Sequence, residues 1–133
     1  MLHAWSCSQG VVIGQRKVDD KTNEITAIPD VLSLFDLQGI TVTIDAMGCQ
    51  KDIADYIVQE GGNYVLALKG NQGDLLDDVK LYLDTEAQDR PGGDFKTVEK
   101  DHGRIETRKI WVTDEIDWLA QNNEWSGLLR IWL

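Results

Sequence analysis

The spacing of apolar positions changes period several times along the chain, and each change marks an element. Residues 2–7 and 11–18 are short apolar stretches separated by Ser8-Gln9-Gly10, a composition suited to a hairpin turn, and they predict an antiparallel strand pair. A polar loop is expected over 19–24. Ile28, Val31, Leu32 and Phe35 then fall at i, i+3, i+4 and i+7, one stripe of a helix. Thr26 can cap that helix, Pro29 is tolerated in a first turn, and Gly39 stops it. Residues 40–44 (Ile-Thr-Val-Thr-Ile) are β-branched and alternating, so they read as a strand with Asp45 at its carboxyl end. Ile53, Ala54, Ile57 and Val58 mark a second helix closed by Gly61-Gly62, and the unbroken apolar run 64–68 reads as a strand buried on both faces. Leu75, Leu76, Val79, Tyr82 and Leu83 form a third helical stripe after the loop 69–73.

Beyond Arg90-Pro91-Gly92-Gly93 the pattern predicts strands at 95–98 and 107–112, a short helix at 114–120 and an apolar end at 127–133. Trp111, Trp118, Trp125 and Trp132 recur every seven residues, but the positions between them are mostly polar, so a coiled coil would lack its second seam. A strand pair followed by helix, strand, helix, strand, helix predicts an α/β layer arrangement with a mixed sheet. Its two central strands should be parallel, joined by a right-handed crossover through the second helix. Ligands in such sheets bind beyond the carboxyl ends of the strands. Asp45 and the run Lys69-Gly70-Asn71-Gln72 both fall there.

With 133 residues the chain is the size of one ordinary domain. No apolar run is long enough for a membrane span, and Met1-Leu2-His3-Ala4-Trp5 lacks the basic start of a signal peptide. Cys7 and Cys49, 42 positions apart, form no CxxC pair, which excludes a disulfide scaffold or zinc knuckle and fits the reducing cytoplasm. The net charge of −10 argues against a nucleic-acid binder that is basic overall. The imbalance is local, however. Residues 74–94 hold seven acids and two bases, whereas residues 96–109 hold five bases and three acids, so a polyanion contact belongs on the second stretch.

Three polar features are chemically suggestive. Asp45 reads either as a turn former for Ala46-Met47-Gly48 or as a ligand to a hard divalent cation, which prefers carboxylate oxygens. One carboxylate cannot hold two metal ions, so the second reading needs partners from elsewhere. Lys69-Gly70-Asn71-Gln72-Gly73 is not a P-loop, though its backbone amides could meet a phosphate at a helix start. An ordinary strand-to-helix turn explains it equally well. In an extended 104–108, Arg104, Glu106 and Arg108 share a face. They form either a solvated ion-pair ladder or an arginine pair offered to DNA phosphates. His3 and His102 join no ligand cluster, and a nucleotide-binding glycine-rich turn is absent after the early strands.

Four blocks in order carry a resemblance: 12–15 with 23–29, then 43–50, then 64–73, then 102–106. Together they resemble the H-repeat-associated family of bacterial insertion-sequence DDE transposases, and the likeness runs to about Ser126. The resemblance implies an incomplete ribonuclease-H-like fold. Residues 1–85 would be a partial transposase core, and 86–133 part of a β-rich insertion with a truncated end. It implies Mg²⁺ or Mn²⁺ held by an Asp-Asp-Glu set that drives DNA cleavage and strand transfer. Asp45 matches the second carboxylate, and Glu106 is a weaker match for a set member. Lys69, Asn71, Gln72, His102, Arg104 and Arg108 would face DNA. The family's first Asp, in an Ile-Asp-Gly-Lys-like strand, and its later Glu, in a His-Trp-x-Ile-Glu-Asn-like helix, have no match here. An inactive fragment is therefore expected, with marginal stability or self-association through open sheet edges. A non-catalytic remnant that binds DNA or an intact transposase through residues 96–109 is the alternative.

Overall fold

The computed structural model describes residues 1–18, 21–101, 104–121 and 124–132. The chain divides into two compact units, Met1–Asn71 with Trp125–Gly127, and Gln72–Glu124 with Leu128–Leu133.

The first unit opens with the hairpin of β1 (Leu2–Ser6) and β2 (Val11–Arg16), antiparallel with a register shift between Ala4 and Trp5. Gly14 lies under the Phe35 ring: a Cβ there would come within 2.7 Å of Phe35 Cζ, so the glycine is what lets the ring seat on β2. Helix α1 (Lys21–Leu32) packs against both strands. It begins earlier than the apolar stripe suggests, taking in part of the expected loop, so Thr26 lies inside it and does not cap it. Pro29 falls in its last turn. There the ring removes the bond to the carbonyl four residues back, and the helix ends three residues later in short turns, Leu34 N to Val31 O and Phe35 N to Leu32 O.

β3 (Thr41–Ile44) and β4 (Asn63–Leu66) pair in parallel, Thr41 opposite Asn63 and Ile44 opposite Leu66. α2 (Lys51–Gln59) connects them. It ends in a Schellman motif: Gly62 N donates to Ile57 O (2.9 Å), Gly61 N to Val58 O (3.0 Å), and Gly61 takes φ +76°. The core of this unit is Ile28, Leu32, Leu37, Ile53 and Ile57, with Val42, Ile44 and Tyr64 packed against it. Val42 and Ile44 turn inward while Thr41 and Thr43 are exposed. β4 is half-buried from Tyr64 to Leu66, not covered on both faces as its apolar run suggested. Among the described residues the ladders join strands only in pairs. Among the described residues the architecture is α/β with four two-stranded sheets, not one continuous mixed sheet.

Tyr64 ties a distant segment to this unit. Its hydroxyl donates to Ser126 O (2.8 Å), beside the buried Trp125. Burial chiefly, then the neighbouring Cys49 and Asp55, push the phenol up to about 12. An unfolded phenol ionises near 10, so the stability due to the neutral hydroxyl is whole below pH 10 and is lost as pH rises through 12. Tyr64→Phe should abolish the tyrosinate absorbance step near pH 12 and cost about 1 kcal/mol at neutral pH. A surviving step near pH 12 would contradict this assignment.

In the second unit, α3 (Gly73–Asp89) buries Leu75, Val79 and Leu83. Arg90 follows it and holds Glu86 and Asp94, each at 2.6 Å, while Asp94 also accepts from Val112 N (2.8 Å). β5 (Phe95–Asp101) and β6 (Arg104–Ile110) form an antiparallel ribbon. β7 (Val112–Thr113) pairs with β8 (Ile131–Trp132). The helix expected at 114–120 is absent; turns replace it. Thr113 Oγ1 accepts from Glu115 N, Trp118 stacks on Tyr82 (centroids 4.3 Å apart), and Leu119 is buried, so tertiary contacts fix an irregular backbone. The four regularly spaced tryptophans have separate fates. Trp111 donates to Arg90 O, Trp118 stacks, Trp125 is buried and Trp132 is exposed. No helical seam links them.

Candidate functional site

Two loops leave the carboxyl ends of β3 and β4, and the structure fastens one to the other. Asp45 is the last residue before a short 3-10 turn, Ala46–Gly48. Its Oδ1 accepts from Met47 N (3.2 Å), and its backbone carbonyl accepts from Gly48 N (3.0 Å). The turn-forming role read from the sequence is therefore present. The side chain is nonetheless exposed, and its second oxygen has no partner among the described residues.

Ala46 O receives two donors, Cys49 N (3.3 Å) and Asn71 Nδ2 (2.6 Å). Asn71 comes from the loop after β4, which makes its amide the brace between the two strand ends. Gln50 Nε2 donates to Met47 O (3.3 Å), closing the far side of the turn. Beneath it Gly48 and Cys49 are buried, and burial pushes the Cys49 thiol up. Neither Cys49 nor the exposed Cys7 forms a disulfide.

The other residues singled out in the sequence fall elsewhere. Lys69 is exposed just before the 3-10 turn Gly70–Gln72. Gln72 stands at the start of α3. Glu106 and Arg108 belong to the second unit, exposed on β6, where Arg108 Nη2 meets Glu106 Oε2 at 3.2 Å. This is one rung of the ladder reading. His102 and the side chain of Arg104 lie outside the described residues. Among the described residues no group of three or more His, Cys, Asp or Glu gathers to hold a metal ion. Asp45 alone offers the right kind of donor for a hard cation, but not the number. The bracing roles of Gly48, Gln50 and Asn71 were not foreseen. The glycine after Ala46-Met47 was the one visible signal, and it looked like ordinary turn chemistry.

The family model described as Transposase DDE domain matches residues 1–121. A protein of the dhlA 3′ region of Xanthobacter autotrophicus is 62% identical over 128 residues, 96% of this chain and 43% of that protein. The H repeat-associated proteins YhhI and YbfD of Escherichia coli (strain K12) are 43% and 45% identical. They match 98% and 88% of this chain, which spans only 35% and 47% of their own lengths. No solved structure matches the chain. No helix among the described residues is long and apolar enough to cross a membrane. With the family model matched over residues 1–121 and H repeat-associated relatives along most of its length, the chain belongs to the DDE transposase family, of whose longer members it spans a part.

Proposed function

We propose that this chain is the part of a DDE transposase that contributes the second metal-binding carboxylate, Asp45, to DNA cleavage and strand transfer. The observation that carries the reading is Asp45 itself, exposed at the carboxyl end of a parallel strand on a turn braced by Asn71 from the neighbouring strand. A lone hard oxygen donor suits Mg²⁺ or Mn²⁺ in kind, and the further carboxylates are assigned to the rest of the longer protein. Cations held there would supply activation of the attacking hydroxyl and stabilisation of the leaving oxygen. Asp45 would hold the cation, Asn71 and Gly48 would hold Asp45, and the exposed Lys69 would meet the DNA backbone beside it.

The intact fold in this reading is ribonuclease-H-like. The β1–β2 hairpin and the parallel β3–β4 pair form separate ladders, and a strand from the rest of the protein would join them. Their open edges also favour self-association or capture of an intact transposase. In the second unit Gln72, His102, Arg104 and Arg108 are the proposed DNA contacts. Glu106, already engaged by Arg108, is given no metal role. A second reading, a non-catalytic segment that binds DNA through residues 96–109, draws on the exposure of the β5–β6 ribbon.

Two measurements test the main reading. In the full-length protein carrying this segment, Asp45→Ala should reduce Mg²⁺-dependent strand cleavage to background while DNA binding persists; undiminished cleavage would refute it. For the present chain alone, calorimetry should show no tight two-site Mg²⁺ uptake. Tight uptake at two sites, or strand transfer that Asp45→Ala abolishes, would show that the segment needs no outside ligands.

A further inference from the structure

The register of the β5–β6 ribbon sorts its charges by face. Lys96 pairs with Lys109, Val98 with Thr107, and Lys100 with Ile105. Since alternate side chains share a face, these six residues line one side of the ribbon. All six are exposed, Val98 at 60% and Ile105 at 67%. Three ammonium groups and no carboxylate occupy this face of a chain whose net charge is −10. Glu99, Glu106 and Arg108 lie on the opposite side, where Arg108 is already matched by Glu106.

The lysine face is costly to the ribbon by itself. Lys96 and Lys109 stand directly across from each other, and like charges so placed destabilise an antiparallel pair. Among the described residues none of the three lysines has an acidic partner; Lys109 Nζ donates to the carbonyl of Pro91 (2.7 Å). A bound polyanion would remove the repulsion. Lys96 and Lys100, four residues apart, span roughly 13 Å along the strand. Over that length duplex DNA presents about eight phosphates. The major groove of B-DNA admits a two-stranded ribbon, which would bring the three cations of this face to the flanking phosphates.

We propose that the lysine face, through Lys96, Lys100 and Lys109, grips the phosphate backbone of duplex DNA without reading its sequence. This rests on DNA being the substrate, as proposed above, and names which side of the ribbon meets it. The test is binding of the full chain to a random-sequence duplex across a range of salt concentrations. Wild-type log affinity should fall linearly with log salt, and the triple variant Lys96→Ala/Lys100→Ala/Lys109→Ala should have a slope shallower by about 2.7. The matching triple Lys→Arg variant should keep the wild-type slope, which separates loss of charge from loss of folding. Arg16→Ala, in the first unit and paired with Asp30 at 3.1 Å, should leave the slope unchanged. The proposal is overturned if Arg108→Ala flattens the slope while the lysine triple does not. It is equally overturned if the chain binds vesicles of anionic lipid and no duplex. Failure here, with Asp45-dependent cleavage intact in the full-length protein, sinks the lysine face and leaves the family chemistry standing. The reverse outcome sinks the metal role and keeps the face.

Discussion

Ile57→Ala should lower the unfolding free energy by about 3 kcal/mol, with a range of roughly 2–5 for such truncations. Ile57 has no exposed surface and belongs to the cluster of Ile28, Leu32, Leu37 and Ile53. Removing its side chain forfeits the transfer free energy of the lost methyl groups and leaves a cavity between α2 and the strand pair. The same cluster receives Val42, Ile44 and Tyr64, so it is the footing on which the Asp45 turn stands. Urea denaturation followed by circular dichroism would read the loss as a lower midpoint at unchanged slope. Leu34→Ala, at a residue 64% exposed, should stay within about 0.5 kcal/mol of wild type. Equal effects at the two positions would mean that burial here does not set stability.

The elements of this chain were easier to order than to bound. The order of strands and helices through Asp89 was readable because each core element repeats its apolar spacing. Val42 and Ile44 alternate with exposed threonines, and Leu75, Val79 and Leu83 recur at i, i+4 and i+8. Asp45 could be placed at a strand end because the β-branched run stops there. What misled was local polarity. Residues 21–24 read as a loop because they carry no apolar stripe, yet from Lys21 on the chain is helical and Glu24 supplies acidic charge to its first turn. At 114–120 the opposite happened. Helical spacing was present, but Trp118 stacking on Tyr82 and the burial of Leu119 outweighed it.

The site itself was half visible. Nothing in the spacing of Asn71 and Ala46, 25 positions apart, announces a 2.6 Å hydrogen bond between loops. It exists because β3 and β4 are parallel neighbours whose ends lie side by side. Topology brings the loops together, and an amide suits the job because it can donate to a carbonyl that already accepts Cys49 N. The faces of the β5–β6 ribbon were hidden in the same way. Five bases within residues 96–109 are plain in the sequence, but only the register shows that the lysines share one side.

Gly48→Ala should destabilise the first unit by about 1–3 kcal/mol, the usual cost of overpacking. Gly48 is buried in the turn after Asp45, and an added Cβ would overlap Ile44 Cγ2 and press Ile28 Cδ1 at 3.2 Å. Its φ is not positive, so the cost comes from contact and not from backbone strain. The branched Ile44 side chain is held in the sheet face and cannot swing away freely. Relief must come from the turn, which shifts Asp45 and weakens the bond from Met47 N. Amide exchange at Met47 should therefore accelerate beyond what global unfolding explains. A double-mutant cycle with Ile44→Ala isolates the cause. If the overlap is responsible, the double variant should be more stable than the sum of the single losses predicts, by about 1 kcal/mol. Strict additivity, with Met47 exchange unchanged, would mean that Gly48 is not packed against Ile44 and that the turn carrying the carboxylate is held by its hydrogen bonds alone.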